Sequence, residues 1–194
     1  MKKNNSNSGW CIIIYGFSGS GKTQISKKIK KKVENLLGKT IIFDGDEIRD
    51  FFSKIGLKFG YKLSDRDKTV IPKLELLNLI LRQNINIIYP TIFLNKLAIK
   101  KWTKGIDNLI KIYIKSDIRD IIKFGSKKKI YKNKNVVGLD IKPVYPKKPH
   151  IIVENNFKKD TLFLSKEVSK KLNKIFKKKW LNYLNLLHSP CMTL

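Results

Sequence analysis

Residues 16–23 read G-F-S-G-S-G-K-T and match the phosphate-binding pattern G-x-x-x-x-G-K-[ST]. The residues before this stretch, 10–15, are apolar and β-branched (W-C-I-I-I-Y), as in a buried strand. After it, Ile25, Ile29 and Val33 recur at helical spacing among lysines. A strand, a glycine-rich loop and a helix in this order predict a loop that binds the phosphates of a nucleoside triphosphate.

The residue types of this loop suit phosphate binding. Glycines let the backbone turn its N–H groups towards an anion, and the N-terminus of the following helix is positive. We expect Lys22 to reach the β- and γ-phosphates and Thr23 to hold Mg²⁺. A chance match in a glycine turn is the alternative, and the flanking strand and helix argue against it. The predicted nucleotide-binding residues are Gly16, Ser18, Gly19, Ser20, Gly21, Lys22 and Thr23.

Length and composition predict one globular domain. A chain of 194 residues can form a substantial core, and its hydrophobic content of 42% is ordinary. We expect the domain to span residues 10–187, between a disordered N-terminus (residues 1–9) and a C-terminal tail (residues 188–194).

The net charge of +27 raises the question of a polyanionic partner. Of the 42 basic residues, however, only four are arginines, the residue that recognises bases best. Lys, Ile and Asn are all abundant, as in an A/T-rich coding sequence. We therefore favour a solvated lysine surface and expect no nucleic-acid partner, with attraction to anionic substrates as the alternative. The four arginines are Arg49, Arg66, Arg82 and Arg119.

The sequence predicts a cytoplasmic protein. No apolar stretch has the length of a membrane span, and the residues near Met1 lack the apolar run of a signal peptide. The two cysteines, Cys11 and Cys191, suit neither a metal site nor a disulfide framework, as in a reducing compartment.

Strand-like and helix-like segments alternate along the chain, which predicts an α/β fold. We expect about five parallel strands with helices on both faces of the sheet. Helical spacing is predicted over residues 64–83, with Ser64 as N-cap, and Pro72 is awkward unless the helix begins or kinks there. Residues 125–148 are rich in Lys, Asn and Pro and predict a mobile loop or lid. The strands are predicted at residues 10–15, 40–43, 85–89, 109–114 and 150–153, and a long basic helix at residues 160–187.

A second informative segment, residues 44–49, reads D-G-D-E-I-R and follows the second predicted strand. Asp46 would therefore lie at the carboxyl edge of the sheet, where ligands bind in such folds. A carboxylate there can orient Mg²⁺ or accept a proton from an attacking hydroxyl. The alternative role for Asp46 is to cap the following helix.

These segments resemble the adenylylsulfate kinase family, relatives of the nucleoside monophosphate kinases. The family pattern G-L-S-G-S-G-K-[ST] is similar to residues 16–23, and D-G-D-x-[IV]-R matches residues 44–49. Its L-G-F-S-x-x-D-R resembles residues 59–66, and its G-L-Y-K resembles residues 129–132. Residues 136–140, with Pro146 and Pro149, resemble the family's F-T-G-I-D segment and the prolines after it.

The resemblance implies a three-layer P-loop kinase fold and an ATP- and Mg²⁺-dependent phosphotransferase. ATP would lie on residues 16–23, with Mg²⁺ at Thr23 and Asp46. Lys22 and Asp46 would be catalytic. The acceptor would be a small nucleotide, adenylyl sulfate, in sulfate assimilation. Whether the protein forms a homodimer is left open.

The resemblance also implies a set of residues that bind the acceptor. Arg49 and Arg66 would grip its anionic groups, because arginine offers planar bidentate contacts that lysine lacks. The alternative for either arginine is a surface ion pair, and for Lys132 an idle solvated lysine. The predicted acceptor-binding residues are Asp44, Arg49, Tyr61, Arg66 and Lys132.

Departures from the family pattern leave the acceptor open. The family's N-x-R-R corresponds to residues 69–72, which read T-V-I-P. Its stacking Phe corresponds to Val136, so we expect Val136→Phe to strengthen binding of adenylyl sulfate. One alternative is a kinase for another nucleotide anhydride, such as cytidine diphosphoramidate in surface-polysaccharide biosynthesis. An alternative of another class is a non-catalytic protein that binds polyanions, against which the intact Lys22 and Asp46 argue.

Overall fold

A computed structural model describes residues 8–57, 62–92 and 96–187 of the chain. Within these ranges, strands and helices alternate as the sequence predicts. The strands are β1 (Cys11–Tyr15), β2 (Thr40–Ile42), β3 (Asn86–Thr91), β4 (Leu109–Lys115) and β5 (Ile151–Glu154). The helices are α1 (Lys22–Leu37), α2 (Gly45–Lys54), α3 (Leu63–Lys68), α4 (Val70–Leu81), α5 (Lys96–Gly105), α6 (Ile118–Phe124) and α7 (Thr161–Leu187), with a 3-10 helix at Lys128–Lys132.

The five strands form one sheet in the order β2-β3-β1-β4-β5, and every neighbouring pair is parallel. The central strand is β1, where Ile12 is in register with Ile88 of β3 and Ile110 of β4. Because parallel strands end at the same edge, the loop after β1 lies at the middle of the carboxyl edge. The predicted α/β fold with five parallel strands is confirmed.

Helices cover both faces of the sheet, as the alternation along β1 requires. Ile12 and Ile14 point to the face covered by α1 and α7, and Ile13 and Tyr15 point to the face covered by α4 and α5. All of these side chains are fully buried. Burial of each large apolar side chain contributes roughly 1.5–3 kcal/mol, so β1 is the hydrophobic centre of the domain.

The long C-terminal helix is amphipathic in its first half. Leu164, Val168, Leu172 and Phe176 of α7 are buried against the sheet and α1, and most lysines between them face away. The helix predicted over residues 160–187 is confirmed. Across the described residues, no helix combines the length and apolarity needed to cross a membrane.

A continuous helix over residues 64–83 is wrong, whereas the alternative start near Pro72 is close to what is found: α3 and α4 meet at Thr69, and α4 begins at Val70. Pro72 has no N–H to donate and lies in the first turn of α4, where the loss is harmless. Ser64 is not an N-cap, since Lys62 occupies that position and Ser64 lies inside α3. Residues of both helices, among them Arg66 of α3 and Lys73 of α4, line the cavity described below.

Residues 125–148, called the lid segment below, contain the 3-10 helix and little other regular structure. The Tyr131 hydroxyl donates to the carbonyl oxygen of Ser18 at 2.7 Å, which attaches the segment to the phosphate loop. Tyr131 and Val136 are buried together with Ile121 of α6 in a small core of their own. The lid segment is therefore packed against the phosphate loop, and its mobility stays a prediction.

Candidate active site

The predicted phosphate loop connects β1 to α1 at the middle of the carboxyl edge. Two of its glycines are required by the backbone. A side chain at Gly16 would collide with the carbonyl oxygen of Ile114. Gly21, the N-cap of α1, has a φ of 91°, in the left-handed region that favours glycine. The loop therefore directs the positive N-terminus of α1 towards the open edge of the sheet.

Lys22 is buried within this loop although it carries an amine. Its Nζ donates to the carbonyl oxygen of Phe17 at 2.6 Å. Burial, with the charge of Lys127, lowers the pKa of Lys22 to about 7, against the opposite effects of Asp46 and Asp44. A phosphate beside this amine would stabilise its charged form, so the site is arranged to bind an anion.

Thr23 and Asp44 form the second contact of the loop. The Thr23 hydroxyl donates to Oδ2 of Asp44 at 2.9 Å, and Asp44 is buried with 8% of its surface exposed. The other oxygen of Asp44 accepts from the backbone N–H of Asp46 and caps α2. A hydroxyl and a carboxylate are hard oxygen ligands, which fit Mg²⁺. The structure thus brings Asp44, rather than the predicted Asp46, to the hydroxyl of Thr23.

Asp46 lies at the mouth of the site, where 75% of its side chain is exposed. Its Oδ2 accepts from Nζ of Lys127 at 2.9 Å. The partial loss of water raises the pKa of Asp46, but the hydrogen bond and charge of Lys127, with the charges of Arg49 and Lys22, outweigh it and hold the pKa below its usual value. The capping role considered for Asp46 belongs to Asp44.

A cavity of about 650 Å³ opens at this edge, a volume typical of small-molecule sites. Five of the seven predicted nucleotide-binding residues line it, the exceptions being Gly16 and the fully buried Ser20. Its lining continues over α2, α3, α4, α5, the end of β3 and the start of the lid segment. The cavity therefore joins the phosphate loop to a second group of helices.

The structure brings three of the predicted acceptor-binding residues together. Asp44, Arg49 and Arg66 all line the cavity. Lys132 lies at the end of the 3-10 helix, where it is exposed and absent from the lining. Tyr61 lies outside the described residues. The binding roles of all five residues stay predictions.

Sequence patterns did not single out Lys73 and Lys127, which also line the cavity. Lys73 is three residues after Val70 and four before Leu77, two buried residues of α4, so helical spacing puts it on the buried face. The helical spacing therefore predicts that Lys73 is buried. Lys127 begins a run of three lysines in the lid segment, and nothing in the run distinguishes the one that reaches Asp46.

The parallel sheet, the glycine-rich loop after its central strand and the buried loop lysine define a P-loop kinase fold. The sequence model of one family, described as Adenylylsulphate kinase, matches residues 8–154. The chain belongs to this family, which confirms the resemblance stated above, and the family is one of phosphotransferases.

Known proteins similar to this chain differ in their acceptors. The cytidine diphosphoramidate kinase of Campylobacter jejuni is 28% identical over 140 residues, which cover 70% of this chain and 80% of that protein. The APS kinase CysC of Mycobacterium tuberculosis, solved in complex with AMPPNP and APS, has a TM-score of 0.70 at 19% identity, covering 86% of this chain and 98% of that one. A gluconokinase from Sinorhizobium meliloti has a TM-score of 0.59 at 12% identity, covering 91% and 98%. The structural likenesses show the fold alone.

Proposed function

We propose that the protein transfers the γ-phosphoryl group of ATP to the ribose 3′-hydroxyl of a nucleotide anhydride. The observation that carries this proposal is one cavity lined by the loop lysine Lys22, the carboxylate of Asp46 and two of the four arginines of the chain. Cations that bind phosphates and a carboxylate that can hold a hydroxyl are the groups that phosphoryl transfer requires.

Each of these groups has a distinct part in the proposed reaction. Lys22 and the N-terminus of α1 bind the β- and γ-phosphates of ATP. Asp46 orients the acceptor hydroxyl and takes its proton while the ribose oxygen bonds to the γ-phosphorus and the bond to the bridging oxygen of ADP breaks. Thr23 and Asp44 would hold Mg²⁺, which when bound neutralises charge on the phosphates. Positioning and charge neutralisation supply most of the rate.

Two acceptors have support. The family supports adenylyl sulfate. The Campylobacter jejuni relative supports cytidine diphosphoramidate, and so do the departures from the family pattern at Thr69 and Ile71, which stand where that pattern has Asn and Arg. The structure adds that Thr69 lines the cavity, whereas Ile71 is largely exposed and absent from the lining.

A side-by-side kinase assay tests the proposal. Purified protein with ATP and Mg²⁺ is given adenylyl sulfate or cytidine diphosphoramidate, ADP release is followed, and the product is examined for a 3′-phosphate by mass spectrometry and ³¹P NMR. We expect one acceptor to be phosphorylated, and Asp46→Asn to abolish the product. ADP release that neither nucleotide stimulates would overturn the proposal. Binding of polyanions that falls steeply with salt, without turnover, would then favour the non-catalytic alternative.

A cytoplasmic location is part of the proposal. It is supported by Cys11, a free thiol that lies fully buried in the central strand, where burial raises its pKa and leaves it inert. Cell fractionation tests the location, and sedimentation analysis tests the homodimer that the sequence leaves open.

A further inference from the structure

Lysines are abundant in this protein, yet only two of those in the described residues are buried, Lys22 and Lys73. Removing an ammonium group from water is unfavourable unless a partner compensates. The phosphate loop explains Lys22. Lys73 belongs to no recognised pattern, and its exposed fraction of 9% is close to the 8% of Lys22.

The position of Lys73 is fixed by well-packed neighbours. It lies in α4, where Leu74 and Leu77 pack into the core beneath the sheet. The backbone N–H of Lys73 donates to the carbonyl oxygen of Thr69, and the indole N–H of Trp102 donates to that of Val70 at 3.3 Å. The first turn of α4 is therefore held in place, and its lysine lines the cavity rather than the protein surface.

Among the described residues, no carboxylate forms an ion pair with Lys73, and Asp46 acts on its charge only from beyond ion-pair distance. Every Asp and Glu side chain lies within the described residues, and none of the ion pairs there includes Lys73. Burial, with the charges of Arg49 and Arg66, lowers the pKa of Lys73 to about 8, against the opposite effect of Asp46. The charged neighbours are thus Arg49 and Asp46 of α2 and Arg66 of α3.

The charged residues that act on Lys22 and on Lys73 differ, although both lysines line the same cavity. The charges of Lys127, Asp46 and Asp44 act on Lys22. The charges of Arg49, Arg66 and Asp46 act on Lys73. Asp46 acts on both lysines. A kinase with two anionic substrates can use cations of both kinds near the carboxylate that is proposed to hold the acceptor hydroxyl.

We propose that Lys73, together with Arg49 and Arg66, binds the anionic anhydride group of the acceptor nucleotide. This inference rests on the proposed function and names a residue that determines acceptor affinity. At the position where the family pattern has an arginine, this chain has Ile71, which is exposed to solvent. Lys73, in the same helix, supplies the positive charge from a different position. The anhydride oxygens supply the ion-pair partner that Lys73 lacks among the described residues.

Kinetics of matched variants test the proposal. With the acceptor that the kinase assay identifies, Lys73→Met is expected to raise the acceptor KM about 10- to 100-fold, the effect of one charge-assisted hydrogen bond. The KM for ATP should change less than twofold. Lys73→Arg should keep most of the affinity, and Lys101→Met, an exposed lysine of α5, is the control. An unchanged acceptor KM in folded Lys73→Met overturns the inference and leaves the proposed function standing.

A binding measurement separates this inference from turnover. The protein is saturated with ADP and Mg²⁺, so that Lys22 is occupied, and inorganic pyrophosphate is titrated by calorimetry at pH 8 in two buffers of different ionisation enthalpy. Because the pKa of Lys73 lies near this pH, its amine is partly deprotonated, and binding should take up more protons in the wild type than in Lys73→Arg, whose guanidinium stays charged. Protons that pyrophosphate itself exchanges are common to both proteins and cancel in this difference. Lys73→Met should lose binding, and Lys73→Arg should lose only the additional proton uptake. Proton uptake on pyrophosphate binding by a protein without kinase activity refutes only the proposed function. Binding that Lys73→Met leaves unchanged refutes the inference.

Discussion

Lys127 of the lid segment donates to Asp46 of α2, with 2.9 Å between Nζ and Oδ2, although 81 positions separate the two residues. Lys127 also lies beside the phosphate loop, since a Cβ atom added to Gly19 would be 3.5 Å from the Cβ of Lys127. One lysine therefore connects the lid segment, the loop and the carboxylate that we propose to hold the acceptor hydroxyl. Phosphates bound on the loop would compete with Asp46 for this amine.

Removing the lysine should change the pH dependence of the reaction. Lys127 helps to hold the pKa of Asp46 below its usual value, so Lys127→Met should let that pKa rise. The proposed reaction requires the ionised carboxylate of Asp46, so the activity of Lys127→Met should be lost at a higher pH than that of the wild type when the pH is lowered. The acid limb of the pH profile of kcat/KM measures this shift.

Lys128→Met, which removes an exposed neighbour outside the cavity, is the matched control and should leave the acid limb in place. Both side chains of the Lys127–Asp46 pair are largely exposed, so the unfolding free energy should change by less than about 1 kcal/mol. An acid limb that does not move in Lys127→Met would show that Asp46 does not control this part of the profile.

The two aspartates of the D-G-D segment should have separable effects. Asn caps helices as well as Asp, so Asp44→Asn and Asp46→Asn both avoid loss of the α2 cap. We expect Asp46→Asn to lower kcat by 100-fold or more, in the range of general acid–base catalysis, with the KM for ATP little changed. Asp44→Asn should instead raise the Mg²⁺ concentration required for half-maximal activity. Equal Mg²⁺ dependence in both variants would refute this division of roles.

Val136→Phe should not strengthen binding of adenylyl sulfate, contrary to the expectation from sequence. Val136 belongs to the lid segment, is buried with Tyr131 of that segment and Ile121 of α6, and does not line the cavity. A larger side chain there overpacks this small core, which costs about 1–3 kcal/mol. Urea denaturation and calorimetric titration with adenylyl sulfate test both parts. Tighter binding with unchanged stability would show that Val136 faces the acceptor.

Much of the fold could be predicted because local sequence and tertiary structure agree in the core. The apolar run of β1 is fully buried, and Ile25, Ile29 and Val33 of α1 face the sheet as their spacing requires. Gly21 marks the start of α1 because only a residue tolerant of positive φ fits there. Periodicity and backbone sterics therefore suffice for the strands, the phosphate loop and the helices on both faces.

The arrangement of the site was less predictable because it depends on contacts distant in sequence. Which aspartate faces Thr23 depends on how β2 enters α2, and spacing alone does not distinguish Asp44 from Asp46. The side chain that contacts Asp46 comes from a lysine run 81 positions away. The burial of Lys73 required the separation of α3 from α4 at Thr69, which the apolar spacing over residues 64–83 conceals.

The buried lysine of the phosphate loop, Lys22, has a pKa lowered from 10.5 to about 7, with burial as the largest cause. The unfolded chain then binds one more proton than the folded protein between these pH values, so the wild type should lose stability as the pH falls from 10.5 to 7. Lys22→Met removes this contribution. As the pH falls from 10.5 to 7, the unfolding free energy of Lys22→Met should decrease less steeply than that of the wild type, and the two slopes should differ by up to about 1.4 kcal/mol per pH unit. Below pH 7 the difference between the two proteins should stay constant. Urea denaturation at pH 7, 8 and 9 measures the slopes, with Lys101→Met as the control.

The folded Lys22→Met variant should have no kinase activity, and full activity in it would refute the assignment of the loop.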